Sequence, residues 1–375
     1  MNQNPLLDLQ ALGQSIWIDF ISRGMISSGE LQRMIEEDGV SGVTSNPSIF
    51  EKAISESNDY DELLRSQASS EKTPEEVLQA LTIEDIQSVA DLLRPTYDRT
   101  DGRDGFVSLE VSPRLAHDTA GTIAEARQLW SAINRPNAMI KVPATQKGLP
   151  AIRQLTAEGI NVNITLLFGL PRYRDVVEAY ISGLEMLAAN GKPLKPVASV
   201  ASFFLSRIDT LIDPILEKKM KTDSPQADIA ARIHGQTAIA SARVAYQIYK
   251  EIFGSDRFTR LANAGARTQR LLWASTSTKN PAYSDTKYIE PLIGADTINT
   301  VPVETLNAYR DHGQPERSLE QDVPEAYQLI NSLSSVGIDL NAVTQQLEDE
   351  GIEKFVSAFD RLLVSIRERQ VPASP

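Results

Sequence analysis

The chain has 375 residues, 41% of them hydrophobic, no cysteine, three histidines (His117, His234 and His312) and a formal net charge of -13. That charge repels phosphate backbones and anionic membranes over the molecule as a whole, while a local basic pocket could still capture one small phosphate, so neither nucleic acid nor a membrane is an expected partner. Without cysteine there is no disulfide, thiolate zinc site or cysteine nucleophile, and three scattered histidines without HExxH spacing argue against His-ligated zinc and a Ser-His-Asp triad.

The opening segment MNQNPLLDLQ lacks a basic stretch and carries Asp8 where a signal peptide needs uninterrupted apolar residues, so a cytoplasmic protein is expected. Apolar runs such as 164–170 fall far short of the roughly 20 residues that cross a bilayer. No Pro/Gly/Ser-rich linker interrupts the middle, and residues 1–375 are read as a single domain. Strand-like runs alternate with longer helical patterns, which is the signature of repeated βα units. Eight strands are predicted, at 16–20, 42–44, 106–111, 139–142, 161–168, 197–204, 271–275 and 297–301. Eight units with no GxGxxG turn or GxxxxGK[ST] loop point to an α/β fold of the (β/α)8 TIM-barrel type before an open doubly wound sheet. The sequon-like Asn163-Ile164-Thr165 lies inside an apolar strand and is read as a chance match.

Helix boundaries follow in the same order. Ser27 with Glu30 forms the pattern of a capping box ahead of 31–37, and Gly39 stops that helix. Asn46 followed by Pro47 is a capping side chain ahead of a proline suited to the first turn. The connection 50–103 is too long for one helix and is expected to hold extra ones at 75–81 and 82–97. Asp118 caps a helix to about 134, on which Ile123, Ala126, Leu129, Trp130 and Ile133 form an apolar stripe. A helix is expected from about 227 to 253 with His234 on it as a structural or exposed residue. The charged segments 217–228 and 312–325 read as surface insertions, and 341–369 as terminal helices on the barrel.

Side chains alternate faces along a strand. Ile16 and Ile18 oppose Trp17 and Asp19; Val107 and Leu109 oppose Ser108 and Glu110; Ile140 and Val142 oppose Met139 and Lys141; Val162 and Ile164 oppose Asn163 and Thr165. With the apolar faces turned to helices, the polar ones point into the barrel. Asp19, Glu110, Lys141, Asn163 and Ser202 then lie near the C-terminal strand ends, where barrel enzymes hold their chemistry. Burying such groups costs about 1–3 kcal/mol each without partners, so stability alone does not select them. They suit amine catalysis. A lysine on an apolar strand, with other cations near, loses its proton more readily and can attack a ketone; the iminium then accepts the electrons of a broken C–C bond.

The strings SIWIDF, GVTSNPSIF, SLEVSPRLAHD, MIKVPAT, NVNITLLF and ASFFLSRID, in this order, closely resemble the transaldolases. WASTSTKNPAYSDTKYI and GADTINTVPVETL look like the branch of that family found in actinobacteria and cyanobacteria, and the resemblance covers nearly the whole chain. It implies a Schiff-base Lys141 on the fourth strand, Asp19 as acid and base for the C4 hydroxyl, and Glu110 with Thr165 holding a water. Asn46, Asn163 and Ser202 would bond the dihydroxyacetone hydroxyls, with Phe204 on the same face as Ser202, and Arg207 would hold phosphate. Many relatives carry a serine and an arginine close together on the seventh strand. Here the string is Ser275-Thr276-Ser277-Thr278-Lys279, which assigns Ser275 and Lys279 to phosphate with a point charge in place of a bidentate fork. The implied reaction moves dihydroxyacetone from sedoheptulose 7-phosphate to glyceraldehyde 3-phosphate, giving erythrose 4-phosphate and fructose 6-phosphate in the non-oxidative pentose phosphate pathway. It implies no metal or organic cofactor, sugar-phosphate substrates, and a monomer or homodimer.

Each residue also has a plainer reading. Lys141 could be an edge-strand gatekeeper, Asp19 a helix N-cap, Glu110 half of a solvated pair with Arg114, and Asn46 only a cap. Ser202 could be small core, Arg207 surface charge, and Phe203 and Phe204 packing. Two other enzyme readings stand beside transaldolase. Fructose 6-phosphate aldolases, which release the free ketone, carry a tyrosine where this chain has Phe204; fructose-bisphosphate aldolases place their lysine on the sixth strand. A barrel that only binds would be expected to lack Lys141 or Asp19.

Overall fold

In the computed structural model, which describes residues 4–66 and 72–370, eight parallel strands close on themselves in chain order. They are β1 Gln14–Ile18, β2 Gly42–Val43, β3 Phe106–Glu110, β4 Ala138–Pro143, β5 Val162–Leu167, β6 Ser199–Phe204, β7 Arg270–Ala274 and β8 Thr297–Val301. All eight expected strands are present, interleaved with helices, as a (β/α)8 barrel. Their ends differ by up to two residues: β1 stops before Asp19, and β6 begins at Ser199. Asp19 still donates its backbone N–H to Val301 at 2.8 Å, so the ladder bond continues while the chain already turns away.

The interior is filled by side chains from alternate positions, as barrel closure requires. Trp17 occupies so much of it that a Cβ on Gly42 would lie 2.3 Å from the indole, which leaves glycine as the residue that fits β2 there. Below the indole is a polar floor absent from the sequence expectations. Asp104 accepts from Trp17 Nε1 at 2.7 Å and from the Ser15 hydroxyl, and stands 3.4 Å from Arg270 Nη1. Arg270 also donates to the carbonyls of Thr297 at 2.9 Å and Arg103 at 3.1 Å. This floor closes the N-terminal end and leaves the opposite end for the site.

Several helix boundaries differ from expectation. Ser27 and Glu30 form no capping box. Ser22 instead caps a short helix, Arg23–Ser27, by accepting from Met25 N–H at 3.1 Å, and the helix Glu30–Glu37 restarts from Gly29 at φ 76. Residues 75–97 are one helix, Pro74–Arg99, with a full capping box at Thr73 and Glu76 and with Pro95 carried inside it. Residues 67–71 of that connection, and 1–3 of the opening segment, lie outside the described residues. The helix expected over 227–253 is two, Pro225–Ile233 and Thr237–Phe253, broken at His234 and at Gly235 with φ 70. Asn46 and Asp118 cap as expected, the latter at the start of Thr119–Ile133. Of the two charged segments, 217–228 is divided between the helices Ser206–Met220 and Pro225–Ile233, and 312–325 keeps Leu319 fully buried.

The tail is a single 31-residue helix, Leu340–Gln370. It packs against the helices Pro47–Ser55 and Pro74–Arg99 and crosses the C-terminal mouth of the barrel. Gly351 makes the crossing close: a Cβ there would lie 2.9 Å from Leu166 and 3.5 Å from Arg207 Nη1. Among the described residues, no helix is long and apolar enough to cross a membrane.

Candidate active site

Lys141 stands on a central strand of a closed barrel, which has no edges, so the gatekeeper reading does not apply. It is 4% exposed. Its ammonium donates to the Ser45 carbonyl at 2.8 Å and lies 3.4 Å from Glu110 Oε2. The barrel register sets this up, pairing Glu110 with Lys141 and Lys141 with Asn163. Among the described residues its ion-pair partner is therefore a carboxylate rather than the cations expected beside it. Arg114 does not meet Glu110; it pairs with Asp360 at 2.6 Å.

Asp19 is not a helix cap, since Ser22 fills that place. Its Oδ1 accepts from the Thr44 hydroxyl at 2.6 Å, and Thr44 is 2.7 Å from the Thr300 hydroxyl, so the residue after β2 and one on β8 fix the carboxylate. Burial raises the Asp19 pKa above the usual aspartate range, opposed by Lys141, the Thr44 bond, Arg207 and Lys279. Burial likewise raises Glu110, opposed by Lys141. A carboxyl whose burial favours the proton can both take and return one during a reaction.

Asn46 does two things: it caps its helix by accepting from Ile49 N–H at 3.0 Å, and it faces the cavity. Ser202 donates to Asn163 Oδ1 at 2.7 Å, and Asn163 donates to Ser108 at 3.0 Å. The plain-core reading of Ser202 gives way to a polar relay. Phe203 and Phe204 divide as their alternation requires. Phe203 packs edge-on to Trp273, whereas Phe204 faces the cavity with the Arg207 guanidinium 5.4 Å above its ring. β5 carries a register shift between Ile164 and Leu167 with Leu166 at φ 54, the kind of irregularity that re-aims side chains beside active sites. Thr165, inside it, is fully buried, and its hydroxyl has no hydrogen-bond partner among the described residues; neither do the two Glu110 oxygens.

Asp19, Asn46, Lys141, Ser202 and Phe204 line a cavity of about 140 Å³ at the C-terminal mouth together with Arg207, Ser275 and Lys279. Glu110, Asn163 and Thr165 do not line it; the first two stand one layer behind, in contact with Lys141 and Ser202. Ser275 leaves β7 with φ 54, and its hydroxyl is 2.9 Å from that of Ser206. Lys279 is bonded to the Ser277 hydroxyl. Partial burial and the nearby Arg207 hold the Lys279 ammonium below the usual lysine range, and burial also lowers Arg207. Two cations brought together at such a cost favour a bound anion. Arg207 is therefore not plain surface charge.

A second, larger cavity of about 500 Å³ lies between the helices Pro47–Ser55, Pro74–Arg99 and Thr119–Ile133 and is bordered by Glu110 and Asn46. Its walls, including Phe50, Leu78, Leu129 and Leu362, are mainly apolar. Size alone would choose it. The convergence of an amine, a carboxylate and two cations chooses the smaller one.

Sequence reasoning missed Thr44, Thr300 and Phe355, all of which line the small cavity. Thr44 follows the two-residue strand β2, which is too short for alternation to assign it a face. Phe355 comes from the helix Leu340–Gln370, where it looks like one more member of an apolar stripe.

A family model described as Transaldolase/Fructose-6-phosphate aldolase matches residues 16–366. The chain belongs to this family. Among curated relatives, the protein named Transaldolase 2 of Nostoc sp. is 47% identical over 377 residues, covering 99% of both chains. The transaldolase of Saccharopolyspora erythraea is 48% identical over 371 residues, 98% of this chain and 99% of the relative. That of Thiobacillus denitrificans is 48% identical over 363 residues, 97% and 99%. Actinobacterial and cyanobacterial members of the family thus stand among the similar proteins, as the longer motifs implied.

Proposed function

We propose that the chain is a transaldolase that uses Lys141 as its Schiff-base amine. The carrying observation is that Lys141 and Asp19 face one cavity that Arg207 and Lys279 also line. The Lys141 amine adds to the C2 carbonyl of sedoheptulose 7-phosphate, and the carbinolamine loses water to give an iminium. Asp19 takes the C4 hydroxyl proton as the C3–C4 bond breaks; erythrose 4-phosphate leaves and the electron pair stays on the lysine-bound three-carbon unit as an enamine. That carbon attacks the aldehyde of glyceraldehyde 3-phosphate, Asp19 returns its proton to the new alkoxide, and hydrolysis frees fructose 6-phosphate and Lys141.

Glu110 and Thr165, whose buried oxygens have no hydrogen-bond partner among the described residues, suit a shared water for the addition and loss steps. Asn46, Ser202 and, behind it, Asn163 suit the hydroxyls of the three-carbon unit. Arg207, Ser275 and Lys279 suit phosphate. Phe204 favours transfer over release: unlike a tyrosine it has no hydroxyl to protonate the enamine, so the intermediate waits for an aldehyde. A single domain, a cytoplasmic location and a monomeric or homodimeric state complete the proposal; fractionation and sedimentation test the last two.

Borohydride reduction in the presence of fructose 6-phosphate, followed by peptide mass mapping, should place a three-carbon adduct on Lys141, and Lys141→Ala should abolish turnover. An adduct elsewhere, or an active Lys141→Ala, rejects the assignment. Free dihydroxyacetone accumulating without an acceptor would favour the aldolase reading.

A further inference from the structure

The helix that carries Arg207 and the β7–β8 connection that carries Lys279 are joined by a buried charged cluster that the reaction chemistry does not use. Asp209, two residues after Arg207, lies 3.3 Å from Lys287 Nζ, with side-chain exposures of 2% and 9%. The same carboxylate accepts from Tyr288 OH at 2.9 Å and from Ala238 N–H at 2.8 Å. One turn later Asp213 accepts from Tyr283 OH at 2.8 Å and from Gly235 N–H at 2.9 Å. Lys287 stands 3.2 Å from the centre of the Tyr283 ring. Tyr283 packs so closely on the turn that a Cβ on Gly235 would lie 2.6 Å from its hydroxyl. Burial raises both phenol pKa values, with the aspartates adding to the shift, so both tyrosines remain donors throughout the working range. A small cavity lined by Asp209, Asp213, Tyr283 and Tyr288 shares Lys279 with the Lys141 cavity, so Lys279 stands on the wall between them.

A buried ion pair is a poor way to gain stability, because desolvation offsets most of the attraction. It is an effective way to fix two elements in one relative position, since neither charge can be left unpaired. We propose that Asp209 and Lys287, with Tyr283 and Tyr288, are positioning residues that set the spacing of Arg207 and Lys279 and thereby the recognition of the substrate phosphate. This rests on the assignment of those two cations to phosphate. They are mounted on separate elements, and the cluster is a buried charged tie between them, beside the Ser206–Ser275 hydroxyl bond. Lysine is a point charge on a flexible stem, so Lys279 depends on its loop for placement more than an arginine fork would.

The test compares Asp209→Asn and Lys287→Met with the parent protein, using glyceraldehyde 3-phosphate and unphosphorylated glyceraldehyde as acceptors and inorganic phosphate as inhibitor. A misplacement near 1 Å can cost on the order of a hundredfold, so KM for the phosphorylated acceptor should rise about tenfold or more. Inhibition by inorganic phosphate should weaken in parallel, while kcat/KM for glyceraldehyde stays within about twofold. Equal losses for both acceptors, or no loss for either, overturn the proposal. Tyr283→Phe removes one hydrogen bond without a charge; it should shift the phosphate readouts in the same direction by less, and it carries the test if the charge variants do not fold. Arg207→Ala and Lys279→Ala run alongside. If they keep full discrimination for phosphate, the assignment of the phosphate site fails and this proposal with it; if they lose it while the Asp209 and Lys287 variants do not, only the positioning role fails.

Discussion

The Asp19 carboxylate is held between burial, which favours the proton, and the Thr44 hydroxyl, which bonds to the charged form. Thr44→Val removes that bond and leaves burial less opposed, so the Asp19 pKa rises further. In the proposed mechanism cleavage needs the Asp19 carboxylate as base, so activity should be lost as pH falls through that pKa. The acidic limb of kcat/KM should therefore move to higher pH in Thr44→Val and return in Thr44→Ser. An unmoved limb would mean that another group titrates. Lys141 and Asp19 themselves were legible in the sequence, because strict alternation with Ile140, Val142, Ile16 and Ile18 assigns them to the inner face. Thr44, Thr300 and Phe355 were not. Thr44 directly follows the two-residue β2 and Thr300 lies on the five-residue β8, where alternation carries little signal. The third belongs to a helix whose path over the barrel no local pattern specifies.

Among the elements, the turn from β2 into the helix Pro47–Ser55 couples stability to binding through Asn46. Asn46→Ala should lower stability by about 1 kcal/mol through the lost cap and also raise KM for the ketose donor. Asn46→Asp keeps the capping oxygen, so its stability should stay near the parent value in denaturant titrations while its KM still rises. If KM follows stability in both variants, Asn46 is a cap alone. The helix ends show where local reading succeeds. Asn46 with Pro47, and Asp118, cap as their spacing requires. Ser27 with Glu30 does not, because Ser22 starts a turn earlier and Gly29 at φ 76 restarts the chain. The break at His234 was equally hidden, since the residue packed on Gly235 there, Tyr283, comes from 48 residues away in sequence.

For the whole molecule, the barrel divides its polar groups between two ends. At the floor, the Arg270–Asp104 pair with Ser15 and Trp17 is buried at the N-terminal ends of the strands, opposite the mouth that Lys141 faces. Arg270→Met strands a buried carboxylate and should cost roughly 3–5 kcal/mol of stability, leaving the kinetic constants of the folded fraction unchanged. A rise in KM would show that the floor reaches the mouth. The closed eight-strand order was legible because βα alternation prescribes it; the polar floor was not, since Asp104 lies in a loop and only closure brings it to Arg270. The barrel wall is complete once β8 ends at Val301, yet the helix that brings Phe355 to the cavity and Gly351 against Arg207 begins at Leu340. During synthesis, the strands can therefore associate before the catalytic mouth exists. Competence arrives as a late docking event, and a nascent chain arrested between β8 and that helix should have a barrel's circular dichroism but no turnover.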